Sequence, residues 1–209
     1  PLERFLKVFE NGHIKKRHLA QPLSWYTVSH SFGEMNEVYR QTALDLGERA
    51  AVQAIEKAGI SKEQIGMVVF NSTTGISTPS LEGEWILRLG LSLSTLRLPI
   101  WGLGCAGGAA GLARAAQLLS GMDKDKVILF ITVELCSLTF QKQDVSKANL
   151  VGTSLFGDGA AAAIIGYEGT GPEILGFFSR MIPDSSDVMG WDVVDTGLKV
   201  RFSREIPAI

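Results

Sequence analysis

Short apolar runs alternate along the chain with longer stretches whose apolar positions recur at helical spacing. In the longest stretch, residues 34–58, Leu44, Val52 and Ile55 share one face and Gly59 is a suitable C-terminal cap, so a helix is predicted. Further helices are predicted over residues 1–10, 79–89, 106–120 and 148–155. The apolar runs have the length of buried strands and lie at residues 65–70, 98–101, 127–133, 160–165 and 173–178.

The order of these elements predicts the fold class. Strands alternating with helices, followed by two neighbouring strands, indicate an α/β layered domain with a mixed sheet. The turn at residues 168–171 is rich in glycine, which predicts that strands 160–165 and 173–178 form a hairpin. No low-complexity linker interrupts the 209 residues, so we expect one domain, or at most two.

Composition narrows the classes of function. The chain is 45% hydrophobic and 20% charged with a formal net charge of −2, which is typical of a globular protein with a large core. This near-neutral balance argues against a nucleic-acid partner or an anionic membrane surface. No apolar run reaches the roughly 18 residues of a membrane span. Two cysteines make neither a disulfide framework nor a zinc pattern, and they fit the reducing cytoplasm.

Both ends of the chain resemble interrupted elements. Pro1 has no initiator methionine before it, and the helical pattern of residues 1–10 begins partway through a helix. Ser203 is a candidate cap for a helix that would begin just before the chain stops. We therefore expect the chain to be part of a longer protein, truncated at both ends.

Cys105 is the strongest candidate for chemistry. It follows the apolar run 98–101 and a glycine-containing turn, and it precedes the predicted small-residue helix, which is the order of a nucleophile elbow. The first-turn N–H groups of that helix and its dipole favour a thiolate over a thiol. The alternative is a small buried cysteine where helix meets sheet. Cys136 lies between Leu135 and Leu138 with no such helix start, so it is predicted to be structural.

Three polar clusters are weaker candidates. The turn at residues 157–159 is predicted to be structural, with Asp158 bonded to the N–H groups of its own turn. Phe156 either completes the core or lines a cavity. Thr139 is a candidate pocket residue, although a threonine in such a loop usually serves packing. The basic run 15–18 is more often a solvated face than a site for the phosphates of a nucleotide-bearing substrate.

A recognisable catalytic base is missing from this pattern. Cysteine nucleophiles in acyl chemistry usually need one, most often a histidine. The three histidines are His13, His18 and His30, all in the N-terminal segment, where charged and loop-rich surroundings favour surface positions. The sequence therefore offers a nucleophile without its base.

Taken together, these residues resemble the thiolase superfamily, and within it the type III polyketide synthases, which include the chalcone and stilbene synthase-like enzymes. The stretches that carry the likeness are IKKRH (14–18), STTGISTPS (72–80), GLGCAGGAAGLARAA (102–116), ELCSLTF (134–140), NLVGTSLFGDGAAAAIIG (149–166) and IPDSSDVMGWDVVDTGLKVRFSREIP (182–207). FGDGA also occurs in ketoacyl-carrier-protein synthases, so this motif alone does not identify the family. The motifs GCAGG, LVGTSLFGDGAAA and GLKVRFSREIP in that order are specific to it. GLGCAGG is closer to bacterial alkylpyrone-type members than to plant enzymes.

The resemblance implies a fold, a reaction and a set of site residues. The family fold is a five-layer αβαβα sandwich of two similar halves, and residues 1–209 match the first half. Cys105 would accept a starter acyl group from coenzyme A and extend it by decarboxylative condensation with malonyl-CoA, giving an alkylpyrone or resorcinol. Both CoA thioesters are substrates, and neither a cofactor nor a metal is implied. Further implied roles are an aromatic gatekeeper at Phe156, cavity-lining positions at Thr139 and Thr73, CoA phosphate binding at Lys15 and a homodimer interface at Thr78.

The family's catalytic His and Asn belong to the second half, so these 209 residues alone are expected to be inactive. Two other hypotheses stay open. One is a condensing enzyme similar to ketoacyl-carrier-protein synthase III that performs a single extension. The other is an inactive half that acts as a binding or assembly domain.

Overall fold

A computed structural model describes residues 3–203 and 206. The α-helices are α1 (Glu3–Asn11), α2 (Phe32–Ala58), α3 (Glu82–Leu89), α4 (Gly107–Leu119) and α5 (Lys147–Leu155). The strands are β1 (Ile65–Asn71), β2 (Leu96–Ile100), β3 (Val127–Leu135), β4 (Asp158–Ile165), β5 (Met189–Val194) and β6 (Gly197–Phe202). These elements fall into two compact units. The first comprises the described residues up to Tyr39, Leu135–Gly159 and those from Met181 onward, and the second comprises Arg40–Glu134 and Ala160–Arg180.

A four-stranded sheet in the order β2-β1-β3-β4 forms the framework of the second unit. Strand β1 pairs in parallel with both β2 and β3, with Val69 opposite Leu98 on one side and Phe130 on the other. Parallel strands of this kind are covered on both faces, which explains why β1 and β3 read as continuous apolar runs. Ala115 and Leu119 of α4 belong to the same buried cluster as Val69 and Phe130.

Helix α4 approaches the sheet closely because two of its residues lack side chains. A Cβ atom at Gly107 would lie 2.2 Å from the Oδ1 atom of Asn71 at the end of β1. A Cβ atom at Gly111, one turn further along, would lie 2.4 Å from the ring of Phe130 in β3. Real Cβ atoms do not make contacts this short, so the two glycines set the distance between helix and sheet.

The first unit is organised around an antiparallel hairpin. Strands β5 and β6 pair from Met189 opposite Phe202 to Val194 opposite Gly197, which leaves a two-residue loop between them. Helix α5 packs against β6 and also against α1. Leu198 and Val200 of β6 are buried and form part of this unit's core.

The predicted helices and the strands up to β4 are confirmed, with shifts of a few residues at their ends. The predicted helix from Pro79 begins only at Glu82, and the segment before α4 is a separate short 3₁₀ turn. The helix that Ser203 was expected to cap lies largely outside the described residues. No helix within the described ranges 3–203 and 206 has both the length and the apolarity to cross a membrane.

The predicted strand at residues 173–178, and with it the predicted hairpin to β4, is wrong. These residues form no regular secondary structure, and Leu175 and Phe178 are 89% and 88% exposed. An apolar run favours a strand, but it does not specify a neighbouring strand that would supply the hydrogen bonds. Within the described residues, the antiparallel hairpin is formed by β5 and β6 instead, which the apolar pattern does not predict.

The contact between α4 and the sheet makes a specific prediction for two neighbouring glycines. Gly111→Ala should lower the free energy of unfolding by roughly 1–3 kcal/mol, because the new methyl group overlaps the Phe130 ring. Gly108→Ala is the matched control, since open space surrounds its Cβ position; it should be neutral or stabilise by up to about 1 kcal/mol. Urea denaturation of both variants measures the difference. Equal effects would contradict the proposed close packing.

Candidate functional site

Cys105 lies in a turn between the end of β2 and the start of α4. The backbone leaves β2 at Ile100 and passes through Gly102 and Gly104, whose φ angles of +87° and +52° favour glycine. The 3₁₀ turn Gly104–Ala106 then leads directly into α4. Cys105 carries an exposed free thiol. The strand, turn, cysteine and helix therefore follow one another as the sequence predicts.

The start of α4 provides an environment that suits negative charge. Its first turn contains no acidic residue, and the N–H groups there are not needed for hydrogen bonds within the helix. The dipole of a 13-residue helix adds partial positive charge at the same end. A thiolate, or an oxyanion formed during attack on a thioester, would be stabilised at such a position.

Thr73 lies beyond β1 and donates hydrogen bonds to a half-buried carboxylate, that of Glu134. Its backbone N–H and its hydroxyl both donate to Oε1 of Glu134 at 3.0 Å, and the Thr74 hydroxyl donates to Oε2 at 2.8 Å. Burial raises the pKa of Glu134 above its ordinary value, although these hydrogen bonds act in the opposite direction. Thr73 is a cavity residue only by the family resemblance, and the sequence does not mark Glu134 as a candidate, because nothing near Glu134 in sequence indicates its partners.

Phe156 and Thr139 come together in the first unit, where they line one cavity of about 300 Å³. We call it cavity A. Its apolar and aromatic lining residues are Phe9, Leu19, Leu23, Tyr26, Phe140, Phe156, Trp191 and Val200. The Phe156 ring contacts the Trp191 ring edge to face, with centroids 6.3 Å apart. Cys136, which the sequence predicts to be structural, also lines cavity A.

Asp158 joins three segments of the first unit. Its carboxylate accepts hydrogen bonds from the backbone N–H of Ser137 at 2.8 Å, the Ser137 hydroxyl at 2.5 Å and the N–H of Ala20 at 2.6 Å. The Tyr26 hydroxyl lies 2.6 Å from the Ser137 hydroxyl. Burial is the main cause that raises the pKa of Asp158 and of Tyr26. The predicted bonding of Asp158 to its own turn is wrong: within the described residues its carboxylate accepts hydrogen bonds from Ala20 and Ser137, which lie far from it in sequence.

The remaining predicted residues lie on the surface or next to it. Lys15 and Thr78 are exposed, and the peptide bond between Thr78 and Pro79 is cis. His13 and His18 are exposed as expected. His30 differs, since it is half-buried and its ring stacks on Trp25 with centroids 3.7 Å apart. Among the residues that the structure describes, no group of three His, Cys, Asp or Glu side chains is placed to hold a metal ion.

Comparison with solved structures defines the class of fold. The crystal structure of 1,3,6,8-tetrahydroxynaphthalene synthase from Streptomyces coelicolor, described as a bacterial type III polyketide synthase, matches with a TM-score of 0.94 and 31% identity. The match covers 99% of this chain and 60% of that one. The predicted thiolase-like α/β fold with a mixed sheet is therefore confirmed.

The sequence comparisons then give the family. Residues 5–169 match the N-terminal domain of chalcone and stilbene synthases, and the chain belongs to this family. It is 43% identical over 222 residues to a Bacillus subtilis protein provisionally named chalcone synthase, covering 100% of this chain and 60% of that protein. It is 38% identical to 1,3,6,8-tetrahydroxynaphthalene synthase of Streptomyces peucetius, covering 97% of this chain and 55% of that enzyme. The chain thus spans between half and two thirds of the length of these relatives.

Glu134 makes a prediction for the pH dependence of stability. Because its folded pKa is raised, its contribution to stability is complete below the unfolded pKa of about 4.3 and is lost as the pH rises through the folded value. Glu134→Gln removes this titration and keeps an acceptor for Thr73. The variant should therefore gain stability relative to the wild type as the pH rises above about 4.3, the unfolded pKa.

Thermal unfolding at a series of pH values measures this trend. Glu56→Gln, at an exposed position on α2, is the matched control and should leave the pH profile of the wild type unchanged. A stability difference between Glu134→Gln and wild type that does not vary with pH would show that the carboxyl does not titrate in this range.

Proposed function

We propose that the complete protein is a type III polyketide synthase, a CoA-dependent acyltransferase whose nucleophile is Cys105. The observation that carries this proposal is the exposed cysteine at the start of α4, in a chain that belongs to the chalcone and stilbene synthase family. Relatives named as synthases of polyketide products support the same reaction class.

The first step loads the starter group. The Cys105 thiolate attacks the thioester carbonyl of an acyl-CoA, a new carbon–sulfur bond forms, and CoA leaves as its thiol after taking up a proton. Charge develops on the carbonyl oxygen during this attack, and N–H groups directed at that oxygen lower the barrier. The start of α4 is the feature of this chain that supports such stabilisation.

The second step extends the chain. Malonyl-CoA loses carbon dioxide, and the resulting enolate carbon attacks the acyl-cysteine thioester. A carbon–carbon bond forms, the cysteine leaves as a thiolate, and a β-ketoacyl-CoA is released or loaded again. The groups that assist decarboxylation, a His and an Asn, are proposed to come from the remaining length of the enzyme, since the relatives are longer than this chain.

The hydrocarbon part of the substrate is assigned to cavity A. Its volume of about 300 Å³ falls at the lower end of the range of small-molecule pockets, and its walls are mainly apolar. Phe156 would act as the aromatic gatekeeper and Thr139 as a lining residue. An alkyl starter fits these walls, which supports an alkylpyrone or resorcinol product.

The other roles belong to the same proposal. Lys15 is exposed, as a residue that binds the phosphates of CoA must be, and Thr73 would line the reaction cavity. Thr78 is exposed beside Pro79, at the proposed homodimer contact. We place the enzyme in the cytoplasm, where CoA thioesters are available.

Cys105→Ala in the complete enzyme should abolish the acyl adduct seen by intact-mass spectrometry after incubation with an acyl-CoA. The reason is that the adduct requires the thiol. Ser120→Ala, just beyond the opposite end of α4, is the control and should keep the adduct. An unchanged adduct in Cys105→Ala would place the nucleophile elsewhere.

Product analysis with malonyl-CoA added distinguishes repeated extension from a single extension. A pyrone or resorcinol requires repeated extension, whereas a β-ketoacyl product alone indicates one round.

Phe156→Ser should alter the starter or chain-length preference of the complete enzyme while the fold is retained. The Phe156 ring contacts Trp191 at the wall of cavity A, so its removal enlarges that cavity. Product profiles with a series of acyl-CoA starters measure the change, and circular dichroism checks the fold. Phe156→Leu should give a smaller change in the same direction. If both variants unfold, Phe156 serves the core and is not a gatekeeper.

A further inference from the structure

The tip of the β5–β6 hairpin is bonded to the segment that follows β3. Thr196 lies in the two-residue loop between the strands, and its hydroxyl donates to Oε1 of Gln141 at 2.6 Å. Nε2 of Gln141 donates in return to the Thr196 carbonyl oxygen at 3.2 Å. The Gln141 carboxamide thus uses both of its ends on Thr196, which fixes the distance and the relative orientation of the two residues.

Gln141 is itself held firmly at this position. Its Nε2 also donates to the Thr139 carbonyl oxygen at 3.4 Å, and its own carbonyl oxygen accepts from Nδ2 of Asn149 in α5 at 2.9 Å. Gln141 is 7% exposed and Asn149 is 4% exposed. Because a buried carboxamide that loses a hydrogen-bond partner is destabilised, Gln141 provides a rigid anchor for the hairpin tip.

A second polar contact of the hairpin is weaker. Lys199 of β6 forms an ion pair with Asp144 at 3.3 Å, and the Lys199 side chain is 44% exposed. Ion pairs at exposed positions contribute little, because water and salt screen them. Of these two contacts, the Gln141–Thr196 hydrogen bonds therefore determine where the tip lies.

The hairpin needs such an attachment because it has only two strands. β5 and β6 pair with each other, and no third strand pairs with them within the described residues. A two-stranded hairpin without further support is marginally stable in water. Helix α5 supports the hairpin by packing against β6, and Gln141 holds its tip. The position of the hairpin in the first unit is thus determined at these two places.

The same hairpin provides part of the wall of cavity A. Trp191 of β5 lies opposite Val200 of β6 in the strand register, and both residues line the cavity. The centroid of the Trp191 ring lies 6.3 Å from that of the Phe156 ring. Gln141 and Thr196 are not among the described residues that line cavity A. Any effect that they have on the cavity therefore passes through the hairpin.

We propose that Gln141 and Thr196 are positioning residues for cavity A. Their reciprocal hydrogen bonds hold the β5–β6 hairpin, and with it Trp191 and Val200, in the place that binds the starter group. This inference rests on the proposed function, because it takes the hydrocarbon part of the starter to lie in cavity A. Loosening the hairpin tip should therefore weaken binding of the starter without changing the chemical steps.

The test is steady-state kinetics of the complete enzyme with hexanoyl-CoA as starter and malonyl-CoA as extender. Thr196→Val keeps the shape of the side chain and removes its hydroxyl, so Oε1 of Gln141 loses its donor. KM for hexanoyl-CoA should rise roughly three- to tenfold, the factor to which one net hydrogen bond corresponds, while kcat stays within about twofold. Thr196→Ser, which retains the hydroxyl, should restore KM. Gln143→Ala, at an exposed position in the same segment, is the matched control and should leave KM unchanged.

A double-mutant cycle tests whether the two residues act through each other. Gln141→Leu removes both hydrogen bonds and should raise KM by a similar factor. Adding Thr196→Val to Gln141→Leu should then have no further effect, because the partner of the hydroxyl is already absent. If the two factors multiply instead, Thr196 acts by another route and the inference is overturned.

Hydrogen–deuterium exchange of residues 189–202 tests whether the effect passes through the hairpin. Exchange in this segment should be faster in Thr196→Val than in the wild type, whereas Thr196→Ser should match the wild type. A raised KM without faster exchange would show that Thr196 does not act through the hairpin.

The failures of the two proposals are distinguishable. If the wild-type enzyme forms no malonyl-dependent product from any starter, the proposed function fails. If it forms product but Thr196→Val, folded by circular dichroism, keeps the wild-type KM, only the positioning role fails. If Gln141→Leu does not fold, Thr196→Val alone decides, since Thr196 is exposed and a substitution there leaves the core intact.

Discussion

The close contact of helix α4 with strands β1 and β3 is the constraint on which the second unit depends. Gly107 and Gly111 leave no side chain between the helix and the sheet, so the helix axis is held at a distance that no larger residue permits. The position of the helix start follows from that distance. Cys105 is the middle residue of the 3₁₀ turn Gly104–Ala106 that leads into the helix. The packing of the two glycines therefore also determines the position of the thiol.

In the first unit, a half-buried carboxylate links segments that lie far apart in the sequence. Asp158 binds the N-terminal segment through Ala20 and the turn after β3 through Ser137. Such a carboxylate is costly to bury, and its hydrogen bonds offset that cost. Tyr26 is connected to the same group through Ser137, so two residues that line cavity A share one hydrogen-bonded support. A polar network of this kind fixes geometry more strictly than apolar packing alone.

The features that the sequence predicts well are local. The α4 helix and the cysteine before it need only the spacing of small residues and a turn, and both are found where the pattern places them. Cavity A is different, because its lining extends from Phe9 to Val200 and no sequence window contains it. Glu134 and Asp158 likewise acquire their partners only on folding. For segment 173–178 the sequence predicts a strand that the structure does not contain. Its apolar residues favour a strand, but a strand forms only where a neighbouring strand supplies the hydrogen bonds.

The parallel pairing of β1 also has a consequence for biosynthesis. Strand β1 is almost entirely buried, but its partner β3 arrives late, since Ile65 pairs with Val127 only after the whole of α3, β2 and α4 has been synthesised. Non-local pairings of this type form slowly, and an apolar strand that waits for its neighbours is prone to wrong association. While the ribosome completes the intervening elements, the nascent chain exposes this apolar strand. The yield of folded protein in a cell should therefore depend on chaperones that cover β1 during translation.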